Sequence, residues 1–420
     1  MSARKRRVVV IGAGAAGSMA AIFAAAPEVE TLLLERTPDG GRKILISGGG
    51  RCNILPSRSD ESRFVTDSSR NTLKKMLRSW PLSEQIAFFE HEAGVPLSLE
   101  EESGKLFPAS SRARDVRDAL FTLARRRGVE LVTNTLVTGL SREENVWRVE
   151  RASGPRIDAD AVVMATGGLS IPKSGSDGSG IEILRRLGHV VHATYPALTP
   201  LTAPASGLSH LAGVSLPVTV TARDETRSAA ATGGFLFTHQ GYSGPAILDV
   251  SHVAVRSLQE GSPARLSVQW TPHGEGEWTA ALRPEGARTV AGALRGKLPD
   301  RLAAAIADLS DVDPSRPLSR LLREERVRLV HQLTRGELPW SGHEGYAKAE
   351  VTGGGVSLAE VDPRTMESRR CPGLFLCGEA LDAFGPIGGH NFQWAWSTGR
   401  AAGLGSAHAR ADLETRGERG

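Results

Sequence analysis

The chain has 420 residues, of which 40% are hydrophobic and 23% charged, and a formal net charge of +4. Those are the proportions of a globular protein with a core large enough for two or three domains, and no apolar run reaches the length of a membrane span. Three cysteines without a C-x-x-C pair, Cys52, Cys371 and Cys377, exclude a disulfide framework and point to a reducing, cytoplasmic compartment. The pI near 9.1 suits an anionic cofactor or substrate and does not by itself argue for nucleic acid.

In chain order the first element is also the most informative. Val8-Val9-Val10-Ile11 reads as a short buried strand, Gly12-Ala13-Gly14-Ala15-Ala16-Gly17 as a G-x-G-x-x-G turn, and Ser18 to Ala26 as the helix behind it. Gly12 permits the tight turn, Gly14 lets the backbone approach a pyrophosphate, and Gly17 lets helix and strand pack closely. The pyrophosphate would lie on the helix N-terminus, where free N–H groups and the helix dipole favour an anion. A second apolar strand, Thr31 to Leu34, ends in Glu35, about 20 residues on, where an acid accepts hydrogen bonds from a ribose. The basic Met1 to Arg7 followed by small apolar residues imitates a signal peptide; the glycine spacing and Glu35 favour a nucleotide-binding strand.

Next comes Gly40-Gly41-Arg42-Lys43-Ile44-Leu45-Ile46-Ser47-Gly48-Gly49-Gly50-Arg51-Cys52-Asn53. The glycines make a poor strand or helix and a good backbone-lined loop against a flat or anionic ligand. Residues 71–128 read as helical, with one helix at Ser83–Ala93 and another carrying Val116, Leu120 and Leu123. Gly104-Lys105-Leu106-Phe107-Pro108 serves as a tight connection between them. Strands follow at 129–137, 146–150 and 161–165, the last closing in Ala165-Thr166-Gly167-Gly168, an ending that recurs under the cofactor in two-dinucleotide-binding-domain flavoproteins.

Prolines 196, 200, 204 and 217 mark a boundary. Alternating strands at 218–221, 234–238 and 266–270 suggest an antiparallel β insert, with His239 in a loop. Residues 278–338 turn helical and charged. The chain then returns through Val351-Thr352-Gly353-Gly354-Gly355-Val356 and the strand Gly373 to Cys377, which runs into Gly378-Glu379. The run from Gly385 through Gly388-Gly389-His390-Asn391 to Trp396 leads into a final helix that reaches about Ala402. The predicted division is therefore 1–195 and 346–420 for a Rossmann-like α/β FAD-binding domain, 196–277 for the β insert domain, and 278–345 for a small helical subdomain.

The runs G-R-K-I-L-I-S-G-G-G-R-C-N (41–53), F-T-H-Q-G-Y-S-G-P-A (237–246), V-T-G-G-G-V (351–356), T-M-E-S (365–368) and G-E-A-L-D (378–382) with G-G-H-N-F-Q-W-A (388–395) resemble the BaiN/RdsA-like family of FAD-dependent oxidoreductases, the YhiN-like flavoproteins. The resemblance extends from Gly12 to about Gly399. It implies that FAD is held by Gly12, Ala13, Gly14, Ala15, Ala16, Gly17, Glu35, Arg36, Gly41, Arg42, Lys43, Ser47, Gly48, Gly49, Arg51 and Asn53, together with Val137 through its backbone, Thr166, Gly167, Gly378, Glu379, Gly388, Gly389, Asn391 and Phe392. It also implies flavin hydride chemistry on an activated C=C bond, in one branch of bile-acid enones and in another of a ribosomal-RNA uridine.

His390, where many relatives carry Tyr, is the first candidate for the acid: it precedes the helix at the flavin edge and belongs to a residue type that titrates near neutrality. Cys52 is a second, weaker candidate, with a buried structural thiol as its alternative. No second G-x-G-x-x-G announces a dedicated NAD(P)H domain, so NAD(P)H is expected as a transient donor. A small-molecule substrate is the expected partner and RNA the alternative, through Arg4-Lys5-Arg6-Arg7 and Arg125-Arg126-Arg127. No metal site is expected, and the oligomeric state stays open.

Overall fold

The computed structural model describes residues 4–204 and 208–408; the ends of the basic N-terminus and of the 346–420 segment lie outside the described residues. It divides into two compact units, one of residues 1–194 and 351–420 and the other of residues 195–350.

The first unit is built on strands buried from both sides. β1 (Arg6–Ile11) leads through helix α1 (Ala15–Ala24) to β2 (Val29–Leu34), then α2 (Arg42–Ile46), α3 (Ala113–Arg126), β3 (Glu130–Val132) and β4 (Ala161–Met164). After the second unit the chain returns to β5 (Leu374–Leu376) and α4 (His390–His408). The sheet order is β5-β4-β1-β2-β3, and every pair is parallel, with Val10 opposite Leu33 and Val163. Val8, Val9, Val10, Val162, Val163, Leu374 and Phe375 are fully buried. Continuous apolar runs of this kind belong to a sheet covered on both faces.

α1 and α4 approach through small residues. A Cβ on Gly399 would stand 2.4 Å from the Ala16 carbonyl oxygen, and one on Gly403 2.3 Å from that of Ala20. At the turn after β1, Gly12 has φ +102°, and a Cβ on Gly17 would fall 1.8 Å from the Gly12 oxygen. Here the glycine spacing is dictated by packing as well as by a ligand.

Two local expectations need correction. The 40–53 run is not simply a loop: Gly41, at φ 64°, opens the short helix α2, and Ser47–Gly50 form a 3-10 turn in which Gly48 and Gly49 are left-handed. The 71–128 region is not all helix. Leu97–Glu100 and Lys105–Pro108 pair antiparallel, and the latter also pairs with Leu55–Pro56, so the expected connection at 104–108 is itself a strand.

The second unit carries a seven-stranded antiparallel sheet. In spatial order its strands are 336–337, 265–269, 215–223, 228–237, 241–243, 201–202 and 342–343. The helix Pro245–Gln259, whose Ile247, Val250 and Val253 are buried, was not read from the sequence. Val220, Phe235 and Trp270 of the sheet share one core with Trp278, Leu302 and Leu329 of the 275–335 helices. Sheet and helices of this unit therefore stabilise each other.

Candidate functional site

The carboxyl ends of β1, β2, β4 and β5 come together at one edge of the parallel sheet, the edge where open α/β sheets take their ligands. Backbone hydrogen bonds fasten the edge: Gly12 N–H to Leu34 O (2.8 Å), Ala165 N–H to Ile11 O (2.9 Å), Gly41 N–H to Ala13 O (2.9 Å) and Cys377 N–H to Met164 O (3.1 Å). This brings the 12–17 turn, Glu35, Gly41, Ala165-Thr166-Gly167 and Gly378-Glu379 to one place, although they are spread along the whole chain.

α1 starts there at Gly14 with no side-chain cap and no acid in its first turn. A Cβ on Gly14 would meet nothing within 4 Å. The first N–H groups of a helix have no intrahelical partner, so Ala15, Ala16 and Gly17 present donors and the positive end of the dipole to this edge.

Glu35 is 7% exposed and held rigidly. Its carboxylate accepts from Ala13 N–H (2.9 Å), Thr37 N–H (2.7 Å) and the Thr37 hydroxyl (2.7 Å). A carboxylate offers about four acceptor positions, so three bonds orient it and leave capacity for a hydroxyl. Thr135 N–H donates to Glu35 O (2.8 Å), which places the start of the strand at Val137 beside this acid. A register shift between Val137 and Gly139 interrupts the pairing there.

The expected cations are paired with acids of the chain. Arg36 contacts Asp177 (2.5 Å), Arg42 Asp39 (2.7 Å), Lys43 Glu379 (2.6 Å) and Arg51 Glu100 (2.9 Å), and Arg51 also lies over the Phe107 ring. Their net charge at the site is smaller than the sequence suggests. Glu379 is the centre of a clamp: besides Lys43 it accepts from the Ser170 hydroxyl (2.5 Å), the Thr352 hydroxyl (2.8 Å) and Thr352 N–H (3.0 Å). Ser170 and Thr352 were assigned no role from the sequence. Thr352 stood inside the quoted V-T-G-G-G-V run, and that was the only trace of it.

Asn53 reaches the start of α4, where a Cβ on Gly389 would meet the Asn53 Oδ1 at 2.9 Å. Asn391 binds its own loop, accepting from Gly385 N–H and donating to Gly385 O, both at 2.9 Å, and Phe392 stacks on Trp396. Ser47 caps its own helix by donating to Ile44 O, and Gly48 and Gly49 are exposed.

Of the two catalytic candidates, Cys52 follows its alternative reading as a buried thiol, and His390 departs from the ordinary titration of its residue type. Cys52 is fully buried, and burial pushes its thiol up to about 12, so it is no nucleophile or acid at neutral pH. His390 is 4% exposed. Burial, with the nearby Arg63 charge, pushes its imidazole down to about 4. Desolvation thus favours the neutral imidazole and moves it away from the near-neutral titration ordinary for its residue type.

The residues fit FAD. Asn53 Oδ1 and Thr166 Oγ1 are buried polar atoms without a hydrogen-bond partner among the described residues. Such atoms are costly unless something satisfies them, and both lie at expected cofactor positions. The uncapped helix end and the rigid Glu35 offer the donors and the acceptor that a phosphate and a ribose would need.

The HI0933-like protein Rossmann domain family model matches residues 6–405. A 3-dehydro-bile acid delta(4,6)-reductase of Clostridium scindens is 32% identical over 412 residues, 96% of this chain and 99% of that protein. A ribosomal RNA dihydrouridine synthase of Escherichia coli is 31% identical over 395 residues, covering 93% and 95%. Among solved structures, the 3-ketosteroid delta1-dehydrogenase of Sterolibacterium denitrificans superposes with TM-score 0.52 at 13% identity, covering 97% of this chain and 100% of that one. At that identity the likeness is one of fold.

Proposed function

The chain belongs to the HI0933-like Rossmann family of FAD-dependent oxidoreductases, and from that premise we propose that it reduces a carbon–carbon double bond conjugated to a carbonyl group. The observation that carries the reading is the dinucleotide edge itself: an uncapped α1 terminus, a pinned Glu35 and two partnerless buried oxygens at Asn53 and Thr166. The two relatives of known activity differ in substrate, a bile acid and an RNA uridine. The reactive unit in both is a C=C conjugated to C=O, which is the common ground the proposal takes.

FAD held at this edge, once reduced, would supply the hydride. Around it, the α1 N–H groups and Glu35 bind and orient the nucleotide half, and Lys43, Ser170 and Thr352 fix Glu379 in one orientation. At the start of α4, His390 presents a neutral imidazole, whose N–H is a hydrogen-bond donor rather than a ready source of protons. NAD(P)H is the proposed donor of electrons.

RNA is the second reading, carried by the Escherichia coli relative. The basic runs lend it little: Arg6 donates to Ala407 O, Arg7 pairs with Glu30, and Arg127 pairs with Glu92. Three free thiols fit a reducing, cytoplasmic compartment, and no helix among the described residues is long and apolar enough to cross a membrane.

The test is turnover by the FAD-loaded protein under anaerobic conditions with NADH or NADPH, using a panel of enones and a uridine-containing ribosomal RNA. A saturated product from either substrate, detected by mass, supports the reading. Reduced flavin with no saturated product from any of them overturns it.

A further inference from the structure

We propose that Ser170 is a positioning residue for FAD. Through its hydroxyl it locks the Lys43 ammonium and the Glu379 carboxylate into one neutral unit, which offers an uncharged polar group of the cofactor one N–H and one lone pair. The proposal rests on the reading of the chain as an FAD-dependent reductase and adds to it a residue that lies outside the expected cofactor positions.

The direction of every proton in this cluster is fixed. An ammonium only donates and a carboxylate only accepts. Lys43 Nζ lies 2.6 Å from Ser170 Oγ and 2.6 Å from Glu379 Oε2, so the serine oxygen accepts from the lysine. The single hydroxyl proton of the serine then goes to Glu379 Oε1, 2.5 Å away. Thr352 Oγ1 is turned the same way. It accepts from Leu169 N–H (2.7 Å) and Ser170 N–H (3.1 Å) and donates to Glu379 Oε1 (2.8 Å). Thr352 N–H adds a further bond to that oxygen at 3.0 Å. Ser170 itself is fully buried.

What is left over is small and specific. An ammonium has three protons, and a carboxylate has about four acceptor positions. Within the cluster two lysine protons are used, Oε1 takes three bonds and Oε2 takes one. Among the described residues, one N–H of Lys43 and one lone pair of Glu379 Oε2 remain, side by side, on side chains that are 23% and 17% exposed. The two charges cancel at 2.6 Å. The unit is therefore poorly suited to a phosphate and well suited to a group that accepts one hydrogen bond and donates another, as a hydroxyl does.

The cluster stands at the sheet edge where the nucleotide is expected. Lys43 is on α2, just after Gly41, whose N–H is bound to Ala13 O. Ser170 follows β4, Thr352 lies in the strand Val351–Val356 and Glu379 follows β5. A Cβ on Gly168 would meet Glu379 Oε1 at 2.9 Å, and one on Gly378 would meet the Ala16 Cβ at 2.7 Å. The backbone beside the cluster is thus pressed against Glu379 on one side and against the first turn of α1 on the other. Without the Ser170 hydroxyl, Lys43 would keep only its ion pair, about which an ammonium on a flexible stem can turn. With it, two contacts fix where the third proton points.

Affinity for FAD tests this without any turnover. The full chain would be loaded with FAD and its dissociation constant read from the fluorescence of flavin released on dilution, with a melting temperature for each variant. Ser170→Ala should weaken FAD binding about tenfold. Ser170→Cys keeps the shape but has only a weak S–H donor, and should fall between Ser170→Ala and wild type. A double-mutant cycle separates positioning from packing. If Ser170 acts through the lysine, Ser170→Ala in a Lys43→Met chain should change FAD affinity by less than about twofold, whereas a serine that merely packs would lose the same in both backgrounds. An unchanged dissociation constant in Ser170→Ala, or an equal loss with and without Lys43, overturns the proposal. If Ser170→Ala does not fold, Ser170→Cys in the two backgrounds decides in the same way. Turnover on the same preparations keeps the claims apart. A wild-type chain that holds FAD and saturates no conjugated alkene removes the function and leaves the cycle to decide on Ser170; saturated product together with an equal loss in both backgrounds removes the role of Ser170 and leaves the function.

Discussion

Gly17 shows at the scale of one residue why a motif read for its ligand is also a packing rule. A Cβ there would stand 1.8 Å from the Gly12 oxygen, closer than any relaxation of side chains can relieve, because the obstacle is backbone. Gly17→Ala is expected to cost about 1–3 kcal/mol and to displace the α1 terminus, seen as a lower melting temperature and loss of FAD on gel filtration.

His390 makes a prediction about pH. Its pKa is 6.5 in an ordinary setting and about 4 in the fold, so between those values the unfolded chain binds a proton that the folded chain refuses. That contribution to stability is fully present above pH 6.5 and is lost as pH falls toward 4, by about 3 kcal/mol in all. Denaturant unfolding at pH 7 and pH 5 should show wild type losing about 2 kcal/mol more than His390→Phe; equal losses would mean that the imidazole is not buried as described. Cys52, fully buried with its thiol raised to about 12, should resist iodoacetamide at pH 8 in the native protein and react on unfolding. The place of Glu35 at the end of β2, beside the 12–17 turn, was legible from spacing. The clamp on Glu379 was not, because Lys43, Ser170 and Thr352 are separated from it by up to most of the chain and nothing local announces their meeting.

At the scale of elements, the parallel sheet was legible because each strand is a short continuous apolar run, and such runs need cover on both faces. The strands at 97–100 and 105–108 were not legible. Leu-Ser-Leu-Glu and Lys-Leu-Phe-Pro are four residues each, too short for a period to declare itself, and each exists through its partner. The contact of α1 with α4 was hidden for a similar reason: the small residues of α4 carry no amphipathic stripe, and their meaning is the carbonyls they admit. Gly399→Ala places a Cβ 2.4 Å from Ala16 O, at the first turn of the helix proposed to receive the pyrophosphate. It should lower stability by about 1–3 kcal/mol and weaken FAD retention, whereas the same change at the surface glycine Gly276, which has nothing within 4 Å, should leave FAD binding intact.

At the scale of the molecule, the chain makes two units with separate cores, and every expected cofactor residue falls in the unit of residues 1–194 and 351–420. Calorimetry should therefore resolve two transitions. FAD at about 100 times its Kd should stabilise the first unit by about 2.7 kcal/mol and leave the transition of residues 195–350 in place. A single transition that moves as a whole would contradict this. The most direct test of the account is the visible spectrum of the purified protein under anaerobic conditions, recorded alone, after NADH or NADPH, and after an enone. The account predicts flavin bands that bleach with the nucleotide and return with the enone, one saturated product for each flavin reoxidised. A protein that is colourless and cannot be reconstituted with FAD, or a bleached flavin whose colour no conjugated alkene restores, would contradict it.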